Sequence, residues 1–171
     1  NYFNMQRKIL SESPLIFGEV SMPKGFEINR DILRGNILEA EIKNKELLFS
    51  KEWDRLNTYV IENVLLKYEI PLANMKTWGN IYTPESLTEP LLEIDLMDLK
   101  NAPDFVLLYG VKVKNCVVKI YYDNNRRKGN SWNIELKDNM FMMFNSCHRY
   151  TIENNQKEDL NSIQTITYEY K

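Results

Sequence analysis

From residue 105 to residue 170 the chain alternates short runs of branched and aromatic residues with compact polar turns. This pattern constrains the fold more than any other feature. Residues 105–109 form an apolar run closed by Gly110, and residues 116–122 follow, dense in Val, Ile and Tyr, which suit a pleated surface. Residues 123–130 read as a polar turn, 132–136 alternate, and 137–139 turn again. Residues 140–144 are apolar without alternation, as in a strand buried on both faces. Residues 150–152 alternate briefly, and 163–170 close the series with Ile166, Tyr168 and Tyr170 on one face. At least six short strands spaced by turn signals argue for an antiparallel sandwich or barrel.

Helices precede these strands. Asn29 is placed to cap a first helix, with Asp31 in its first turn, and Ile32, Leu33, Ile37 and Ala40 recur at helical spacing. Gly35 weakens it. Ser50 caps a second helix, whose Trp53, Leu56, Val60 and Val64 form one stripe that should face the core. Charged Lys51, Glu52, Asp54, Arg55 and Glu62 lie off the stripe, and Pro71 stops the helix. Residues 1–27 read as an irregular arm broken by Pro14, Gly18, Pro23 and Gly25, with Leu15, Ile16 and Phe17 able to join a sheet edge. Residues 91–99 alternate weakly, as a strand would. The fold class expected is α+β: an antiparallel β-sandwich or jelly roll with two N-terminal helices. It forms one domain over 1–171, divided into an arm (1–27), a helical part (28–70) and a β-sandwich (76–171).

A net charge of -2, from 22 basic and 24 acidic side chains, supplies no field to draw the chain to nucleic acid or an anionic membrane. No apolar run reaches the roughly 20 residues of a membrane-spanning helix. Residues 1–8 do not read as a signal peptide. Cys116 and Cys147 sit in apolar segments and read as buried free thiols. Two Cys and one His are too few for a closed zinc site of such ligands. The expected compartment is the cytoplasm of a host cell, or a virion; the chain reads as neither secreted nor membrane-bound.

Phe141, Met142, Met143, Phe144, Asn145 and Ser146, with Asp138-Asn139 before them and Asn154-Asn155 after, carry a resemblance. This stretch resembles the double-stranded β-helix of 2-oxoglutarate/Fe(II) oxygenases, particularly short phage and marine bacterial members. In that family an apolar strand ends in Phe-Pro-Ser, and the distal iron-binding His stands four residues after the Ser. The resemblance places that position on Tyr150. The chain's one histidine, His148, lies two residues earlier. The region where the family's His-x-Asp pair would fall, about 87–98, holds Glu89, Glu93, Asp95 and Asp98 but no His. The arginine that grips the 2-oxoglutarate carboxylate falls at or near Asn161. Such an iron centre needs two imidazoles and one carboxylate, with open positions for co-substrate and oxygen. The resemblance therefore implies a degenerate scaffold lacking the metal triad, with no catalytic residues, no metal ligands and no cofactor.

Other candidate groups have ordinary explanations. His148 reads as a loop or edge-strand residue, and Cys147 beside it should point away. The four carboxylates between 89 and 98 read as a solvated face. Arg126, Arg127 and Lys128 form a basic turn able to touch phosphate or an acidic partner. Aromatic residues, 12% of the chain, gather near turns and ends, where Tyr and Trp serve interfaces. The leading expectation is a non-catalytic protein-binding or structural protein, such as a phage virion component. Its binding residues would be Arg126, Arg127, Lys128, His148 and Tyr150, and its partner another protein or a second copy, not nucleic acid or membrane. The alternatives are an oxygenase with an altered metal site and a cupin-like binder of a small ligand. A packed barrel interior would favour the first; a hollow polar one would favour the others.

Overall fold

The computed structural model describes residues 4–43, 50–122 and 130–171. Strand β1 (Ile16–Glu19) is followed by helices α1 (Arg30–Lys43) and α2 (Lys51–Val60), the latter running into a π-helical turn at Ile61–Leu65. Eight strands follow: β2 (Leu72–Tyr82), β3 (Ser86–Leu87), β4 (Phe105–Lys112), β5 (Cys116–Tyr121), β6 (Ser131–Leu136), β7 (Met140–Asn145), β8 (Arg149–Asn154) and β9 (Asn161–Tyr170). They form two antiparallel sheets, ordered β1-β7-β4-β9-β2 and β3-β8-β5-β6. From β4 onward the chain crosses between the sheets at each step except from β5 to β6, which pair within one sheet, in the manner of a jelly roll.

Strand alternation sorts side chains into two cores. Leu107, Tyr109, Phe141, Met143, Ile166 and Tyr168 face the helices, where they meet Leu33, Ile37, Trp53, Leu56 and Val60. From the same strands Val106, Leu108, Met142, Phe144 and Ile163 point between the sheets, against Cys116, Val118, Ile120 and Ile152. The central strands are thus buried on both faces, which is why residues 140–144 lack alternation. Each such Leu, Ile or Val contributes about 1.5–3 kcal/mol of transfer free energy.

Local chemistry explains the element ends. The Ser50 hydroxyl accepts from Trp53 N at 3.2 Å, capping α2, and the Asn29 side chain accepts from Ile32 N at 3.3 Å at the start of α1. Helix α1 lies close on β2: a Cβ at Gly79 would stand 2.3 Å from Ile37 Cγ1. Asn139 holds the β6–β7 turn in a left-handed conformation (φ 61°). Its amide accepts from Tyr109 Oη at 2.7 Å and donates to Val20 O at 2.8 Å, tying the arm to the barrel.

Several sequence readings need correction. Residues 91–99 form no strand: after a bridge from Leu91 to Tyr150, Asp95 and Asp98 close local turns on Met97 N and the Asn101 amide. Cys147 is exposed, because residues 146–148 turn rather than extend the apolar strand; Cys116 is buried as expected. Glu52 is not a solvent-facing charge. It is buried, accepting from Asn29 N at 2.7 Å and pairing with Arg55. The β-structure also starts earlier than residue 76, at Leu72, with β1 adding the arm strand expected at residues 15–17.

Candidate functional site

Strand β8 directs Tyr150, Ile152 and Asn154 between the sheets. The segment after β3 runs beside it: Thr88 N donates to Ile152 O, and Leu91 and Tyr150 exchange backbone hydrogen bonds at 2.8 and 3.0 Å. This register brings Glu93, two residues beyond the bridge, to the hydroxyl of Tyr150. Tyr150 Oη donates to Glu93 Oε1 at 2.5 Å. The ring packs edge-on against Phe144, with centroids 5.2 Å apart. Burial pushes the Tyr150 phenol far above its usual range, and the adjacent Glu93 carboxylate pushes it the same way. Tyr82, also buried and raised chiefly by burial, lies close enough to feel Glu93. Tyr150 is therefore a fixed proton donor, and Glu93 is a half-buried acceptor rather than part of a solvated face.

Asn161 is fully buried at the start of β9. Its Oδ1 accepts from Lys114 N at 2.9 Å and from Gln156 Nε2 at 2.6 Å, and its Nδ2 donates to Lys114 O. The amide is spent on closing the barrel. His148 lies elsewhere, in the turn between β7 and β8. Its Nε2 is 2.5 Å from Ser13 Oγ on the arm, and its Nδ1 is 3.9 Å from Cys147 Sγ. The two neighbours thus lie on the same side, contrary to expectation, because a turn and not a strand carries them. Burial lowers the imidazole's basicity and raises that of the thiolate. His148 and Tyr150, two residues apart, serve separate partners. Arg126, Arg127 and Lys128 lie outside the described residues.

A cleft of about 390 Å³ opens beside His148, lined by Leu15, Tyr122, Trp132 and Phe144. A second, of about 510 Å³, lies across the arm against Tyr68, Ile70, Phe105 and Tyr170. The sequence reading of Glu93 as part of a solvated face missed its partner, since nothing in the local spacing reports a residue 57 positions away.

Comparison with solved structures finds 89 matching chains. A prolyl-4-hydroxylase from Pseudomonas putida superposes with a TM-score of 0.65 at 8% identity, covering 92% of this chain and 88% of its own. The viral collagen prolyl hydroxylase from Paramecium Bursaria Chlorella virus-1, in a truncated form, gives 0.64 at 10% identity, covering 99% and 100%. The α-ketoglutarate-dependent epimerase SnoN from nogalamycin biosynthesis gives 0.64 at 7% identity, covering 92% and 79%. The chain has the fold of these oxygenases. No family model matches it, and no curated protein does.

That fold implies an Fe(II) and a keto-acid co-substrate, and the residues present do not fit them. Among the described residues no group of three His, Cys, Asp or Glu could hold a metal. At Tyr150, to which the sequence resemblance assigns the distal imidazole, stands a phenol bonded to a carboxylate. At Asn161, at or near which the resemblance puts the arginine that grips the keto-acid, stands an amide committed to Lys114 and Gln156.

Proposed function

We propose that this protein is a non-catalytic binding protein built on an oxygenase-like jelly roll, and that it engages protein through its arm and the surface around it. The observation that carries this reading is the surface of the arm. Met5, Ile9 and Leu10 are 61–97% exposed. Beside the arm stand five aromatic side chains, Phe17, Tyr68, Tyr122, Trp132 and Tyr170, each about half exposed. Phe17 and Trp132 already meet edge to face, centroids 6.2 Å apart. Apolar and aromatic surface in this amount costs hydration in a lone chain and is regained at an interface. An arm with no core of its own is ordered when a neighbour covers it. The apolar packing between the sheets supports the same reading, because it leaves the interior to side chains rather than to a ligand. A structural part of a phage particle, built from copies of this chain or a neighbouring protein, is one form of this proposal.

Sedimentation velocity across a range of protein concentrations tests it. The expected result is a reversible self-association, or capture of a particle protein, that is lost when Met5, Ile9 and Leu10 are replaced by Ser. A chain that stays monomeric, binds no particle protein and shows an arm already protected from hydrogen exchange would refute it. The second reading, an oxygenase with an altered metal site, is favoured by the structural neighbours alone. Stoichiometric Fe(II) uptake with succinate release would establish it in place of the first.

A further inference from the structure

The β4–β5 and β6–β7 turns, at the end of the barrel where Asn139 bonds Val20, contain a second feature, independent of the reading above. The β4–β5 connection carries Lys112, Val113 and Lys114. Val113 is buried, so the alternation of extended backbone sends both lysines outward together. The connection is pinned from two sides. Val113 N donates to Asp138 Oδ1 at 2.7 Å, and Lys114 N donates to Asn161 Oδ1 at 2.9 Å. Helix α1 approaches with Arg30 and Arg34, four residues apart and so on one face. Arg30 is occupied by Asp138 Oδ2, at 3.2 Å, and by Val111 O. Arg34, Lys112 and Lys114 have no ion-pair partner among the described residues. All three line the rim of a cavity of about 380 Å³ that is also lined by the buried amides of Gln156 and Asn161. Two carboxylates border it: Asp138, already committed to Arg30, and Asp159, exposed at the rim.

We propose that this cavity binds a small phosphate monoester. Three cationic side chains around one cavity, set against one uncommitted carboxylate, repel one another unless a counter-charge enters. In a chain of net charge -2 that concentration of positive charge is a local feature. The guanidinium of Arg34 can present two parallel N–H groups to two oxygens of a phosphoryl group, and the lysines supply point charges to the rest. The volume lies within the range of small-molecule sites, so it admits the phosphoryl group together with the organic residue carrying it. The pinned backbone means that Lys112 and Lys114 need little ordering when the ligand arrives.

Calorimetric titration of the intact chain in low-salt buffer with inorganic phosphate, phenyl phosphate and a phosphoserine peptide tests this. The expected result is saturable binding of phosphate and tighter binding of phenyl phosphate, with the peptide no better than phosphate. Lys112→Gln with Lys114→Gln should weaken binding roughly tenfold, the product of two exposed charge contacts. Arg34→Gln should weaken it as well. Asp159→Asn should tighten it, a change of sign that damage to the fold would not produce. Affinity should also fall below a pH of about 6, where the monoester loses its second charge. Absence of saturable binding, or equal binding by the double-lysine variant with its unfolding midpoint unchanged, overturns the proposal. Preferential binding of the peptide also overturns it, in favour of a phosphoprotein.

Discussion

Replacing Tyr150 by Phe removes one oxygen and keeps the ring against Phe144. Tyr150 is 2% exposed, and its hydroxyl donates to Glu93 Oε1 at 2.5 Å. A hydrogen bond to a charged acceptor contributes about 1.5–3 kcal/mol, and losing it leaves that acceptor without its donor. Glu93 is only half-buried, so water replaces part of the lost contact, and the expected cost of Tyr150→Phe is at the lower end, about 1.5 kcal/mol. Urea unfolding should show this as a lower midpoint at constant slope. A double-mutant cycle with Glu93→Ala isolates the pair, and a coupling of about 1 kcal/mol or more is expected. Additive single effects, to within about 0.3 kcal/mol, would show that the two groups do not hold each other and would refute the account of this site.

Burial raises Tyr82, Tyr109, Tyr150 and Tyr168 above the ordinary phenol value of 10.0, and pushes the Cys116 thiol up to about 12 from 9.0. Each group loses its proton in the unfolded chain before the folded one, so stability is intact below pH 9 and falls above it. Denaturant titrations should show the loss steepening past pH 10, by about 1.4 kcal/mol per pH unit for each such group. His148 has the opposite sign. Its folded imidazole titrates below 6.5, so the unfolded or undocked form gains the proton first, and the Ser13 contact weakens as pH falls from 6.5. Proteolysis of residues 4–15 should quicken at pH 5 relative to pH 7.5, and His148→Gln should abolish the difference. In Gly110→Ala the new Cβ would stand 2.2 Å from Lys137 O, a backbone atom that cannot rotate away. Thermal unfolding should show a loss of about 3 kcal/mol, the upper part of the range for overpacking.

Much of this fold is legible in the sequence because local pattern and burial coincide. The Trp53, Leu56, Val60 and Val64 stripe, the Ser50 cap and the unbroken apolar run of β7 each state their environment within a few residues. Residues 91–99 deceive because alternation describes a surface and not a hydrogen-bond partner, and past Leu91 no strand among the described residues pairs with them. The candidate site was half legible. Strand alternation alone indicates that Tyr150 and Asn161 lie in β-structure with their side chains buried. What they bind there, Glu93 in one case and Lys114 with Gln156 in the other, depends on contacts across the chain that no spacing encodes.

Strand β9 lies between β4 and β2, and among the described residues β2 has no other strand partner. On a ribosome, β2 would emerge almost ninety residues before Asn161 and wait with its hydrogen-bonding groups open, while β4 waits with one side open. Pairings that close so large a loop are slow, and unpaired edges in the interval invite misassembly. A nascent chain arrested before Asn161 should remain bound by chaperones, and release of the ten residues of β9 should be the event that lets it fold.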